Sequence, residues 1–115
     1  MDFSMLNISH LVGVIKLKQF PDSETEFRQI ADELTQKLGL TVVNKNSYAY
    51  TPIGHTLVYI LSQSHIAFHT WPEYNMIHID LVSCKMIDEE IFKQSITECY
   101  DKHVVEEMTI NKLSY

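Results

Sequence analysis

The sequence predicts an α+β fold: a two-layer sandwich, with an antiparallel sheet carrying two helices on one face. Three observations predict it. Six short runs rich in β-branched and aliphatic residues are spread along the 115 residues, and only two stretches show helical periodicity. Those two stretches are separated by four of the strand-like runs, so the order reads β-α-β-β-β-β-α-β. Two helices cannot cover both faces of such a sheet, which leaves one face for something else.

His10 to Lys18 (HLVGVIKLK) reads as the first strand, and Phe20-Pro21-Asp22 ends it. Ser23 followed by Glu26 forms a capping box. Phe27, Ile30, Ala31, Leu34 and Leu38 then recur at helical spacing until Gly39 stops the helix. Leu40 to Asn44 reads as the second strand. Thr56 to Ser62 and His65 to Trp71 are consecutive strands, with the Gln63–Ser64 bond between them. Met76 to Cys84 is the next. Asp88 can cap a second helix whose inner face is Ile91, Phe92, Ser95, Ile96 and Cys99, with Ile87 and Phe92 as a hydrophobic staple. Val104 to Ile110 returns as the last strand.

The length suits a single domain, 1–115, of a size that buries about two thirds of its unfolded surface. Nine Lys and Arg against fifteen Asp and Glu leave a net charge of −6. Nucleic-acid binding usually needs a basic face, so no nucleic-acid partner is expected. No apolar run approaches the roughly 18 residues of a membrane span. The start Met1-Asp2-Phe3-Ser4 lacks the pattern of a signal peptide. Two distant cysteines suit a reducing compartment. A cytoplasmic location is therefore expected. The uncovered sheet face makes a homodimer the simple expectation, with edge-to-edge extension and face packing both open.

The chemistry concentrates in Leu61-Ser-Gln-Ser-His-Ile-Ala-Phe-His-Thr-Trp-Pro-Glu-Tyr74. Ser64 carries a hydroxyl at a strand junction, and a serine can attack the carbonyl of its own preceding peptide bond. Loss of its α-proton from the resulting ester would cut the chain and leave a pyruvoyl group. That route needs a base, oxyanion donors and a well-held peptide bond. Ser64 and His69 are five residues apart, so an unbroken strand puts them on opposite faces. Either Ser64 lies outside the regular strand or a bulge intervenes. His65 and His69 share a face but lie about 13 Å apart along it, so with Cys84 they make no metal site, and none is expected. Cys99 reads as a small buried hydrophobe, and His55 and His78 as surface or packing residues.

This run, together with Asp80-Leu-Val-Ser-Cys84, resembles the prokaryotic S-adenosylmethionine decarboxylases, self-processing proenzymes that depend on a pyruvoyl group. The family usually reads Glu-Ser-His-(Ile/Leu)-(Ser/Thr)-Ile-His-Thr-Trp-Pro-Glu-Tyr there. The resemblance is concentrated between Tyr50 and Cys84. It implies that Ser64 is the pyruvoyl precursor that forms a Schiff base with the substrate, with cleavage at Gln63–Ser64 into 1–63 and 64–115. It implies that His69 assists processing, supported by Thr56 where the family has a serine, and that Cys84 is the catalytic proton donor. Tyr50 aligns with an aromatic that stacks on adenine, with Tyr48 as the competing assignment, and Glu73 with a carboxylate on the ribose hydroxyls. The implied substrate is S-adenosylmethionine and the implied role is supply of spermidine biosynthesis. Departures from the pattern are Gln63 for Glu, Ala67 for Ser or Thr, Asn75 and His78 for small residues, and Lys85 for Gly. Two alternatives remain. One is a pyruvoyl-dependent decarboxylase of ornithine or arginine. The other is a non-processing homologue that binds a ligand or regulates a partner enzyme.

Overall fold

The computed structural model describes residues 7–115; the start Met1–Ser4 read above lies outside the described residues. Eight principal elements appear in the expected order. They are β1 (Ser9–Leu17), α1 (Glu24–Lys37), β2 (Val42–Ala49), β3 (His55–Leu61), β4 (Ser64–Trp71), β5 (Met76–Ser83), α2 (Glu89–Cys99) and β6 (Val105–Leu113). The strands form one sheet in the order β2-β3-β4-β5-β1-β6, and every neighbouring pair is antiparallel. Both helices lie on one face, as the period-two alternation of β1 and β5 requires.

The core fills the space between the layers. Leu11, Ile15, Leu57, Tyr59, Phe68, Ile77, Ile79 and Leu81 from the sheet meet Phe27, Ile30, Leu34, Phe92 and Ile96 from the helices. Gly13 leaves room for the side chains of α2 and β6 against β1. A Cβ there would stand 3.2 Å from Ile110 Cδ1 and 3.4 Å from Ile96 Cδ1. Phe92 is fully buried in the same place. Phe92→Ala is therefore expected to cost about 3–5 kcal/mol. A urea titration in a Ser64→Ala background, where the chain should stay in one piece, reads it as a lowered midpoint.

Both helix starts follow the sequence. Ser23 Oγ accepts from the Glu26 amide at 3.1 Å. The Glu26 carboxylate reaches back to the Asp22 amide at 3.3 Å, one residue earlier than a standard capping box. Asp88 caps α2 through the amides of Glu90 and Ile91. Several details differ from expectation, and β1, β3 and β4 each begin one residue earlier than read, at Ser9, His55 and Ser64. The buried face of α2 is Phe92, Ser95, Ile96 and Cys99, and Ile91 is exposed. At helical spacing Phe92, Ser95, Ile96 and Cys99 already complete the stripe, so Ile91 turns to its flank. β2 begins at Val42 and runs on to Ala49, held by its register with β3. β6 runs on to Leu113 because β1 pairs with it as far as His10. β5 ends at Ser83, which leaves Cys84 just beyond the strand.

Candidate functional site

The polar side chains singled out in the sequence fall into two groups at opposite ends of the β3–β4 hairpin; Thr56, His69 and His78 stand on the uncovered face, whereas Ser64 is in register with Leu61 and Ser83, which turn toward the helices. The first group surrounds the turn. Leu61 pairs with Ser64, so Ser62 and Gln63 form a two-residue connection. Tight hairpins usually place positive φ within the turn. Here neither turn residue has it, and Ser64 does, at φ +125°. Glycine adopts such a conformation freely; an L-residue holds it at a cost of about 1–3 kcal/mol. Ser64 is thus the first residue of β4, paired inside the strand though with an irregular backbone, and the expectation that it would lie outside the strand is corrected. No bulge intervenes, since pairing runs without a shift from Leu61↔Ser64 to Thr56↔His69.

The neighbouring strand completes this end. Ser83 pairs with Ser64, and the Cys84 amide donates to the Gln63 carbonyl at 3.1 Å. That oxygen belongs to the peptide bond that Ser64 would attack. The turn after β5 is held by the Lys85 amide on Ser83 Oγ at 3.0 Å and by Lys85 Nζ on the Gly39 carbonyl at 3.0 Å. A cavity of about 170 Å³ opens here, lined by Thr41, Gln63, Ser83 and Lys85 among others. Cys84 is exposed beside it. Cys99 is buried in α2, and burial pushes its thiol up to about 12, which suits a packing role.

The second group lies at the other end of the hairpin. Thr56 and His69 are directly paired, and Thr56 Oγ1 is 3.0 Å from His69 Nδ1. The Tyr50 hydroxyl is 3.1 Å from Thr56 Oγ1, which makes a phenol–hydroxyl–imidazole chain. Tyr48 packs on Tyr50 with ring centroids 5.0 Å apart, and both rings are exposed. Glu73 is exposed in the short 3-10 turn Pro72–Tyr74 at the same end. Burial holds the His69 imidazole below its ordinary pKa; His78 acts in the same direction and Asp80 against it. His69 is thereby biased to the neutral form that can accept a proton.

The structure brings Gln63, Ser64 and Cys84 together, and separately Tyr50, Thr56 and His69. It does not bring the two groups together within one chain. Five residues of strand separate Ser64 from His69, about 16 Å at the usual rise.

Sequence reasoning missed a third group. On the uncovered face Asp80 Oδ1 is 2.9 Å from His10 Nε2, and Asp80 Oδ2 is 3.8 Å from His65 Nε2. The other ring nitrogen of His10 is bonded to the Tyr115 hydroxyl. The signal available was alternation alone. His10 and Val82 are paired, as are His65 and Val82, which places both imidazoles beside Asp80 once the strand order is known. Among the described residues no three His, Cys, Asp or Glu side chains form a metal cage.

These elements define a class: a two-layer antiparallel α+β sandwich whose uncovered face carries a hydroxyl–imidazole pair and whose β3–β4 hairpin ends on a serine with an irregular backbone. The family model of S-adenosylmethionine decarboxylase matches residues 15–112. The chain belongs to that family. The S-adenosylmethionine decarboxylase proenzyme of Archaeoglobus fulgidus is 32% identical over 77 residues, 67% of this chain and 67% of that protein. The proenzyme of Thermodesulfovibrio yellowstonii is 31% identical over 75 residues, 64% of this chain and 56% of that protein. The match to a third, from Thermosipho africanus, spans 52% of that protein's length. The crystal structure of the adenosylmethionine decarboxylase of Aquifex aeolicus superposes with a TM-score of 0.75 at 20% identity, covering 94% of this chain and 89% of that one. It shows the same fold.

Proposed function

We propose that this protein is a pyruvoyl-dependent decarboxylase of S-adenosylmethionine that cuts its own chain at Gln63–Ser64 and supplies spermidine synthesis in the cytoplasm. Family membership supports the substrate class. The observation that carries the self-processing is the 3.1 Å hydrogen bond from the Cys84 amide to the Gln63 carbonyl, beside a serine at φ +125°.

Attack of Ser64 Oγ on the Gln63 carbonyl carbon moves negative charge onto the Gln63 oxygen, where the Cys84 amide already donates. The peptide nitrogen leaves as the amine of residue 64, and an ester joins the two halves. Removal of the Ser64 α-proton then expels the Gln63 carboxylate and ends chain 1–63. The neutral imidazole of His69, oriented by Thr56, has the chemistry for that proton transfer. These residues fit a pyruvoyl group at position 64. When formed, its ketone supplies the electron sink for loss of carbon dioxide from a bound amine. Cys84 lies one residue beyond the strand partner of Ser64, and its thiol has the chemistry to deliver a proton.

The distance between the two groups supports assembly. One chain holds its Ser64 and its His69 at opposite ends of the hairpin, and the face that carries Thr56 and His69 has no helix over it. A second copy related by a two-fold axis, packed on that face, would set Thr56 and His69 of one protomer toward Ser64 of the other. The homodimer is thus part of the reading, with each site shared.

Tyr50 and Glu73 stand at the His69 end. An aromatic face can stack on a purine, and a carboxylate can accept both hydroxyls of a ribose. Ornithine and arginine offer neither. Processed enzyme assayed side by side with the three compounds should release carbon dioxide fastest from S-adenosylmethionine; faster turnover of either amino acid would overturn the substrate assignment. Glu73→Ala should lower kcat/KM for S-adenosylmethionine about 10- to 100-fold, as the loss of a charge-assisted hydrogen bond implies. Its fragments should still appear at the normal rate.

A further inference from the structure

His78 stands where the family pattern has a small residue, and it faces the imidazole assigned to processing. His69 and His78 are direct partners across β4 and β5. Their ring centroids are 5.8 Å apart, and Trp71 lies 6.3 Å from one ring and 6.5 Å from the other. Thr56 takes Nδ1 of His69 from the opposite side. The His69 ring is therefore gripped between β3 and β5. His78 Nδ1 is itself buried without a hydrogen-bond partner, a costly arrangement for an ordinary packing residue.

We propose that His78 is a positioning residue for the Thr56–His69 pair, packing on the His69 ring from β5 while Thr56 holds it from β3, so that the imidazole stays available to remove a proton during self-processing. The inference rests on the reading of His69 given above. Two adjacent imidazoles are not readily charged together, so the pair resists a first proton on His69 once His78 carries one. Burial of His69 between β3 and β5 works in the same direction.

The other groups around the pair are few. β5 brings Asp80 two residues along the same face, and its charge opposes the effect. β1 brings Lys16, diagonal to His78 beyond its partner Val14. β3 brings only Thr56, backed by the Tyr50 hydroxyl, and β2 brings Tyr48. On β4 the next imidazole is His65, on the far side of Asp80. Removing His78 leaves the attraction of Asp80 in place and takes away the opposing effect of the His78 charge. His69 would then hold its proton to higher pH.

The test is the pH profile of fragment formation by newly synthesised chain, followed from about pH 5 to about pH 8. In His78→Ala the acid limb should move upward, so that processing slows about tenfold at the acid end for each unit of displacement, with the loss smallest at high pH. His78→Phe keeps a ring and drops the charge, and should move the limb less. Profiles that superimpose on wild type in both variants overturn the inference. If wild type processes but His69→Ala does so equally fast, the His69 reading fails and the inference with it. A second measurement does not depend on processing. The imidazole resonances of His69 in a Ser64→Ala background should titrate at higher pH when His78 is also replaced. An unmoved midpoint overturns the inference even if the processing reading stands.

Discussion

Purified wild-type protein, once denatured, is expected to give two fragments, 1–63 and 64–115, and Ser64→Ala one intact chain of 115 residues. The effect is all-or-none because the attacking hydroxyl is the only group in the scheme that cannot be replaced by water at that position. The second fragment should lack a free amino group, since its first residue has lost its nitrogen as ammonia. His69→Ala should slow cleavage by about 10²- to 10⁴-fold, the usual contribution of a positioned base. The sharper form of the test uses both defects together. Ser64→Ala and His69→Ala chains, expressed apart, should each remain uncut. Expressed together they should form mixed dimers in which an intact His69 faces an intact Ser64 on the other chain. About half of the His69→Ala chains should then be cut if subunits pair at random in a closed dimer. An absence of cleavage in the mixture, with dimers present, would refute the shared site. A wild-type chain that stays whole after long incubation would sink the processing reading altogether.

The separation of Ser64 from His69, on which the proposed dimer rests, was half legible in the sequence. Period-two counting already set Ser64 and His69 on opposite faces, and the paired register keeps them so. What counting alone left open was whether a bulge would shorten the path. The unbroken register shows that it does not. The element order was legible because β1, β3 and β5 alternate cleanly between core and surface. The second half of β2 was not, because Asn44 to Ala49 is exposed throughout and shows no hydrophobic period. Its inner face is covered by charge rather than by apolar contact. Lys45 pairs with Asp32 at 2.9 Å, and Arg28 bonds Ser47. The His10–Asp80 contact spans 70 residues, and only the strand order β5-β1 makes it visible.

Cys84→Ala is expected to separate processing from turnover. The contribution of residue 84 to self-cleavage comes from its backbone amide on the Gln63 carbonyl, and that donor survives truncation of the side chain. The variant should therefore still yield fragments 1–63 and 64–115. Turnover asks something different of the same residue. After carbon dioxide departs, the substrate α-carbon must receive a proton, and the exposed Cys84 thiol stands next to the strand pair that holds position 64. Losing a positioned proton donor costs about 10²-fold or more in kcat. Binding should change much less, so KM separates from kcat. Cys84→Ser keeps a hydroxyl in place and should fall between the two, because its proton is held more tightly than that of a thiol. The assay is carbon dioxide release from labelled substrate by protein shown by mass to be fully cut. Full activity in processed Cys84→Ala would remove the thiol from the site and leave only its amide. Failure to cleave at all would mean that the side chain, and not the amide alone, holds the Gln63 carbonyl for attack.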